Sequence, residues 1–358
     1  MRITFLLPSD SLTGGTRVVA VYARKLADQG HDVLVVTCAP DRLDLFEWSK
    51  ALLKRDRNKL RKYGKPEPGH IAMSGVAHKV LEKPRAIEAR DVPDADFIVA
   101  TWWETALWMH AMPSSKGRKV HLIQGYEVWP NPDLADEVHH TLKLPNLKIA
   151  ISSDLKRTIE SQLGELGISI VPNAVDLEQF DAPERGRQRV PTVGFVYARA
   201  AFKGADICIR ACELARREIP DLKVVAFGAD LPSADLALPA GADYFHRPPQ
   251  REIGTIYSRC DAWLFGSRHD SFGLPILEAM ACRTPVIAVP VGAATELLGD
   301  GTGTLVAMES PEEMAEAIVA TCRLQENEWR RRSARAYAKA HGYSWNDATE
   351  RLLRLLES

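Results

Sequence analysis

The chain has 358 residues, a formal net charge of −1 and 46% hydrophobic content, values of a water-soluble globular chain longer than one comfortable core, so two domains are expected. The near-neutral balance gives no global basis for nucleic-acid binding, and no apolar run approaches the ~20 residues of a membrane span. The six cysteines form no C-x-x-C pair, as expected of buried free thiols in a reducing cytoplasm.

Arg2 to Leu7, within MRITFLLP, reads as a first strand instead of a signal peptide. A polar, Gly-containing loop follows from Ser9 to Gly15. Thr16 to Gln29 carries Val18, Val19, Tyr22 and Leu26 at helical spacing, Gly30 ends the helix, and Asp32 to Thr37 is the next strand. This βαβ opening predicts a parallel sheet. Asp41 to Pro84 is less regular and basic, with Lys50, Lys54, Arg55, Arg57, Lys59, Arg61, Lys62 and Lys65 beside the apolar stripe Leu45, Trp48 and Leu52. It reads either as a solvated helix or as a surface for anionic lipid or a phosphate-bearing acceptor.

Phe97 to Thr101 and Lys119 to Gln124 are predicted strands. The loops after them hold Trp102, Trp103, Glu104 and Trp108, then Gln124, Gly125, Tyr126, Glu127 and Trp129. Ligands of doubly wound sheets sit beyond the carboxyl ends of strands, where aromatic rings offer flat platforms for sugars; an aromatic core is the competing reading. Lys148 to Ser153 and Ile168 to Pro172 are further strands. The polar run Ala182 to Pro191 marks a boundary. Thr192 to Ala198, Lys223 to Gly228, Asp243 to His246, Ala262 to Gly266, Pro285 to Val289 and Thr304 to Val306 read as a second strand set, and Gly342 to Ser358 as a terminal helix.

The stretch Ser267 to Glu296 carries the chemistry. Ser267 to Leu274 is loop, Pro275 suits a first helical position, and the helix runs through Glu278 in its first turn to Thr284-Pro285. A helix N-terminus behind a Gly-containing loop favours anions. Asp270 and Glu278 beside it would repel a bare phosphate, so they suit hydroxyl partners. Phosphates next to hydroxyls describe a nucleotide sugar.

This stretch resembles the C-terminal signature of retaining glycosyltransferase family 4: two acids, Asp270 and Glu278, with seven residues between them, around Phe-Gly-Leu-Pro and before Glu-Ala-Met-Ala. Asp270 stands for the usual Glu, Ser271 for a common Gly, and Arg283 for a frequent Gly. Gly292 to Glu296 is similar to the family's Gly-Gly-x-x-Glu block, with Ala293 for the second Gly. Gly14-Gly15 resembles the Gly-Gly loop that closes over the donor diphosphate, and Gly30 to Val33 and Val171 to Phe180 resemble two further family blocks. Arg199 and Lys203-Gly204 match the family's diphosphate cations, with Ala198 replacing a common Gly. The resemblance also implies the α/β GT-B fold, two Rossmann-like doubly wound domains facing across a cleft. The N-terminal, acceptor-side domain would be 1–180, with the helix 342–358 packing back on it, and the nucleotide-sugar-binding domain 181–341.

The implied activity is transfer of a sugar from a nucleoside-diphosphate sugar to a glycan or lipid-linked acceptor, with retention, in polysaccharide or cell-surface glycan synthesis. Catalysis falls to Asp270, Arg199 and Lys203. Gly14, Gly15, Arg199, Lys203, Asp270, Ser271, Phe272, Gly273, Leu274 and Glu278 would bind the donor, Glu278 through the ribose. Trp102, Trp103, Glu104, Gln124, Tyr126 and Glu127 would form the acceptor side. The family's N-terminal His has no counterpart in Thr101 to Glu104. Neither His110 nor His121 is promoted to that role, and the leaving phosphate accepts the proton. No cofactor and no metal are expected, because Asp94-Ala95-Asp96 precedes a strand instead of following one. Gly299, Gly301 and Gly303 do not complete a dinucleotide motif, and no Walker A pattern exists. Gln124-x-Tyr126-Glu127 resembles rhamnose-transferring members, so dTDP-rhamnose is expected ahead of a UDP- or GDP-hexose. A cytoplasmic location is expected, with peripheral contact at the inner face of the membrane through 50–65. The alternatives are a nucleotide-sugar epimerase of the same architecture and a non-catalytic nucleotide-sugar-binding protein.

Overall fold

A computed structural model describes residues 1–39, 52, 68–128 and 131–358. The basic segment 50–65, Leu52 apart, and Trp129 lie outside the described residues.

Two all-parallel sheets organise the chain. The first contains β1 (Arg2–Leu7), β2 (Asp32–Thr37), β3 (Ala77–Val80), β4 (Phe97–Ala100), β5 (Arg118–Ile123), β6 (Leu147–Ala150) and β7 (Ser169–Ile170), in the order β3-β2-β1-β4-β5-β6-β7. The second contains β8 (Thr192–Val196), β9 (Lys223–Gly228), β10 (Asp243–His246), β11 (Ala262–Phe265), β12 (Val286–Ala288) and β13 (Thr304–Leu305), in the order β10-β9-β8-β11-β12-β13. Central strands such as β4 (FIVA) and β11 (AWLF) are buried at every residue, as parallel strands covered on both faces must be. In each sheet the order reverses once, between β1 and β4 and between β8 and β11. A ligand crevice belongs at such a reversal.

The expected β1 and β2 are reproduced residue for residue. β3 was not expected from the sequence. Its AHKV shows no apolar alternation, because it is an exposed edge strand tied to β2, with Thr37 Oγ1 3.0 Å from His78 Nε2. None of the six cysteines is in a disulfide; five are buried, and Cys38 is half-buried, donating to the Arg85 carbonyl at 3.2 Å.

The chain divides into two compact units. The first comprises 1–150, 159–170 and 349–358; the second comprises 151–158 and 171–348. This division places the change of unit at 170/171, ahead of the expected 180/181. Val171 to Phe180 belongs with the second unit, where Val175 N–H donates to the Tyr343 carbonyl at 3.0 Å and Gln179 Nε2 to the Gln250 carbonyl at 2.7 Å. The polar run after it is no free linker. Arg185 donates to the Cys260 carbonyl (2.6 Å) and Thr284 Oγ1 (2.8 Å) and lies over the Trp329 ring, while Asp261 accepts from the N–H groups of Gln188 (2.7 Å) and Thr192 (2.9 Å). Its polarity serves hydrogen bonds inside the unit. The last helix, Trp345–Glu357, buries Leu352 and Leu356 in the first unit, where Arg118 donates to the Leu356 carbonyl.

Candidate active site

In the second unit, the loops after β8 and β11 come together. Gly204 ends a 3-10 turn, Ala201–Lys203, with φ +63°. A Cβ there would sit 1.8 Å from the Gly266 carbonyl oxygen, so only glycine lets the two loops approach. That approach brings Lys203 Nζ to 2.8 Å from Asp270 Oδ2. The other carboxylate oxygen, Oδ1, accepts from the N–H groups of Phe272 (3.1 Å) and Gly273 (2.7 Å). These are two of the N–H groups expected to meet donor oxygens. Asp270 occupies them, so a side chain of its own loop meets the anion-favouring start of the helix Leu274–Ala281.

Glu278 lies in the second turn of that helix, not the first, because the helix begins at Leu274. It is 5% exposed and accepts from Tyr257 Oη at 2.8 Å. The Ser271 carbonyl accepts from Ser152 Oγ at 2.8 Å. Gly292, at φ +63°, lies against the same loop, where a Cβ would meet the Asp270 carbonyl and Phe272 N at 3.0 Å. Ala293 N–H donates to the Phe272 carbonyl at 2.9 Å with φ −83°, a conformation open to alanine. Glu296 bonds Ser153 Oγ (3.1 Å) and Tyr343 Oη (3.0 Å). Arg283, in place of a frequent Gly, holds φ +59°, and its guanidinium lies 3.7 Å from the Tyr337 ring centroid. Arg199 is exposed, and its N–H donates to Asp230 Oδ2 at 2.9 Å.

The first unit carries the remaining candidates. Gly14 and Gly15 are not loop residues. They open the helix Gly14–Asp28 behind Thr13, and a Cβ on Gly15 would be in ordinary contact with Gln124 Oε1 at 3.5 Å. Asp10 fixes the preceding loop by accepting from Ile71 N and Ala72 N at 2.9 and 3.0 Å. Trp103 and Glu104 are likewise helical, in Trp103–His110, with Trp102 as its N-cap and Trp108 packed against the core. Trp102 N–H donates to Thr105 Oγ1 (3.0 Å), which is why this stretch folds as a helix start instead of a loop.

Glu127 is 4% exposed. Its Oε2 accepts the Trp103 N–H at 2.7 Å, and its buried Oε1 has no partner among the described residues. Burial, with Glu104 adding repulsion against the Trp103 hydrogen bond, pushes the Glu127 carboxyl up to about 8. Burial also raises Glu104. Gln124 Oε1 is buried without a partner among the described residues. Tyr126 Oη lies 2.6 Å from His139 Nε2, with the rings stacked. His121 on β5 is buried with both ring nitrogens unpartnered among the described residues; burial, with Lys148 adding to it, lowers it to about 3.

Asp94 and Asp96 are paired with Lys116 (3.0 Å) and Arg2 (2.8 Å). Among the described residues no helix is long and apolar enough to cross a membrane. Arg268, Tyr257, Glu127 as a buried acid and His121 are the residues that sequence reasoning passed over or placed otherwise. For Arg268 the signal was its position two residues before Asp270; for His121 it was an imidazole inside the apolar part of a strand, and for Glu127 a carboxylate in the turn that follows that strand.

Both halves of the chain match known family models. Residues 12–179 match the family model Glycosyltransferase Family 4, and residues 178–341 match Glycosyl transferases group 1. A D-inositol 3-phosphate glycosyltransferase of Nocardia farcinica is 30% identical over 209 residues, covering 52% of this chain and 46% of that protein. Its Mycobacterium bovis counterpart is 32% identical, covering 52% and 42%. The chain thus spans under half the length of these curated relatives. Anabaena HepE in complex with UDP-glucose superposes with a TM-score of 0.76 at 18% identity, covering 100% of this chain and 99% of that one. Sucrose-phosphate synthase from Thermosynechococcus elongatus gives 0.73 at 16%, covering 100% and 98%. A region matching Glycosyltransferase Family 4 is thus followed by one matching Glycosyl transferases group 1, and the chain has the GT-B fold of two Rossmann-like parallel sheets.

Proposed function

We propose that the protein transfers a sugar from a nucleoside-diphosphate sugar to a glycan or lipid-linked acceptor, with retention, in surface-glycan synthesis. The observation that carries this reading is the meeting of Lys203, Asp270 and the start of Leu274–Ala281 at the sheet reversal. Cleavage of the glycosyl–phosphate bond leaves charge on the diphosphate. Lys203 and Arg199 stabilise that charge more in the transition state than in the ground state. The acceptor hydroxyl gives its proton to the departing phosphate oxygen. Asp270, released from Lys203, holds a donor-sugar hydroxyl, and Glu278 takes the ribose. Gly14, Gly15, Ser271, Phe272, Gly273 and Leu274 complete the donor contacts. Trp102, Trp103, Glu104, Gln124, Tyr126 and Glu127 form the acceptor side. Protein location is proposed as cytoplasmic, with peripheral contact at an anionic membrane through 50–65.

Among donors, dTDP-rhamnose rests on Gln124-x-Tyr126-Glu127; UDP-glucose is the donor in the HepE complex. A panel of both, with a GDP-hexose, is expected to release nucleotide fastest from dTDP-rhamnose when a rhamnan or O-antigen fragment is present. Preference for a hexose donor would overturn the donor assignment and leave the transferase reading standing.

No divalent ion enters this scheme, because fixed cations take the leaving-group charge. Asp94 and Asp96 also serve ion pairs at the amino end of β4. Activity is expected to persist in excess EDTA. Loss on chelation that Mn²⁺ or Mg²⁺ restores would contradict the scheme.

A further inference from the structure

Arg268 uses every N–H of its guanidinium. Nε donates to Glu309 Oε1 (2.6 Å); Nη1 donates to the Ala201 carbonyl (2.6 Å) and Asp206 Oδ1 (2.8 Å); Nη2 donates to Asp206 Oδ2 (2.7 Å) and Glu309 Oε2 (2.9 Å). Its own backbone N–H donates to the Phe202 carbonyl at 2.8 Å. One side chain thus ties the loop after β11 to the loop after β8, to the first turn of the helix Ala205–Ala215, and to the segment after β13. Lys203 follows the tied residues Ala201 and Phe202, and Asp270 lies two residues beyond Arg268. The fork therefore fixes both ends of the Lys203–Asp270 gap. A lysine in its place has neither the planar geometry nor the number of donors.

Glu309 holds φ +56°, a left-handed conformation that a non-glycine residue adopts at a cost. Its carboxylate makes two of the five bonds to Arg268, and the strain is held in place by this fork. Backbone strain kept beside a site, with its side chain spent on aligning that site, marks a positioning device.

We propose that Arg268, held by Asp206 and Glu309, is a positioning residue that sets Lys203 for the diphosphate of the donor. This rests on the transferase reading above. Glu309→Gly separates positioning from stability, because glycine relieves the backbone strain while removing two bonds of the fork. Full-length wild type and variants are titrated calorimetrically with UDP, GDP and dTDP in turn, and thermal unfolding is recorded alongside.

The expected result is an unchanged or raised Tm for Glu309→Gly with nucleotide affinity reduced about tenfold, the low end of what one charge-assisted contact contributes. Arg268→Lys is expected to lose at least as much affinity. In a Lys203→Ala background, Glu309→Gly is expected to change affinity less than twofold, since its effect runs through that lysine. A destabilisation unrelated to Lys203 would show the same loss in both backgrounds. Should the glycine variant misfold, Glu309→Gln keeps the volume and drops the charge, and the same comparison applies. Wild-type affinity in a folded Glu309 variant, or an equal loss in both backgrounds, overturns the clamp. Failure of the wild type to bind any of the three nucleotides overturns the transferase reading, and the clamp with it.

Discussion

Lys203→Ala is expected to lower kcat/KM for donor turnover by about 100- to 1,000-fold, the usual cost of removing one preorganised charge stabiliser, or about 2.7–4 kcal/mol. Unfolding does not account for such a loss. The Lys203 side chain is 38% exposed, and an ion pair in that setting contributes ~1 kcal/mol or less to stability. Asp270→Asn gives the complementary result. Asp270 holds Lys203 and the N–H groups of Phe272 and Gly273, all groups that a diphosphate would take. Asparagine is expected to bind nucleoside diphosphate more tightly while turning over more slowly. Nucleotide-release kinetics with calorimetry of the product nucleotide checks both. Unchanged turnover in Lys203→Ala, or weaker nucleotide binding in Asp270→Asn, would contradict the arrangement.

The stability of the first unit is expected to peak in mildly acidic solution. His121 is neutral in the folded chain, with its pKa lowered from 6.5 to about 3. The unfolded chain binds more protons between those values, so this histidine makes stability rise with pH from about 3 to 6.5. Glu127 acts in the opposite sense. Its carboxyl is raised from 4.5 to about 8, so the folded chain keeps a proton that the unfolded chain releases, and stability falls with pH across that window. Each shift corresponds to roughly 4–5 kcal/mol over its whole window, at about 1.4 kcal/mol per pH unit. Between pH 4.5 and 6.5 the two slopes cancel, which leaves a plateau with roughly 2 kcal/mol lost on each flank. Glu104, raised by burial, adds a decline that starts just above 4.5, while His70 and His78, lowered by burial, add a rise that ends near 6.5. Urea unfolding at stepped pH tests this. Glu127→Gln should abolish the alkaline decline, and wild-type stability rising steadily from pH 5 to 8 would refute it.

Most of the sheet architecture was legible because parallel strands are apolar runs between helical periods. β1, β2, β9 and β10 stand at their expected bounds. What escaped was polar. Ala77–Val80 lies at an edge, where one side of the strand needs no partner and its side chains no core. The 182–191 run read as a boundary because hydrogen-bonding residues inside a unit and between units have the same composition. At the site, Lys203-Gly204 was legible as a motif, but the reason for its glycine was not: the 1.8 Å overlap with Gly266 is a contact between distant segments. The rings of Trp102 and Trp103 were read as loop platforms because tryptophan is an unusual helix opener, and only the Thr105 hydroxyl and the Glu127 carboxylate explain how a helix begins there.

Both sheets reverse order at the same step, so the two halves are built on one plan. Residues after β8 stand where residues after β1 stand in the other half, and those after β11 where those after β4 stand. Lys203 and Asp270 therefore have Leu12 to Gly15 and Trp102 to Glu104 as topological counterparts. One copy of the plan has placed charge at its reversal, and the other has placed glycines and aromatic rings there. Divergence confined to two loops per copy leaves every strand pairing intact. The ligand selectivity of either half can then drift by loop substitution alone, with neither sheet having to refold.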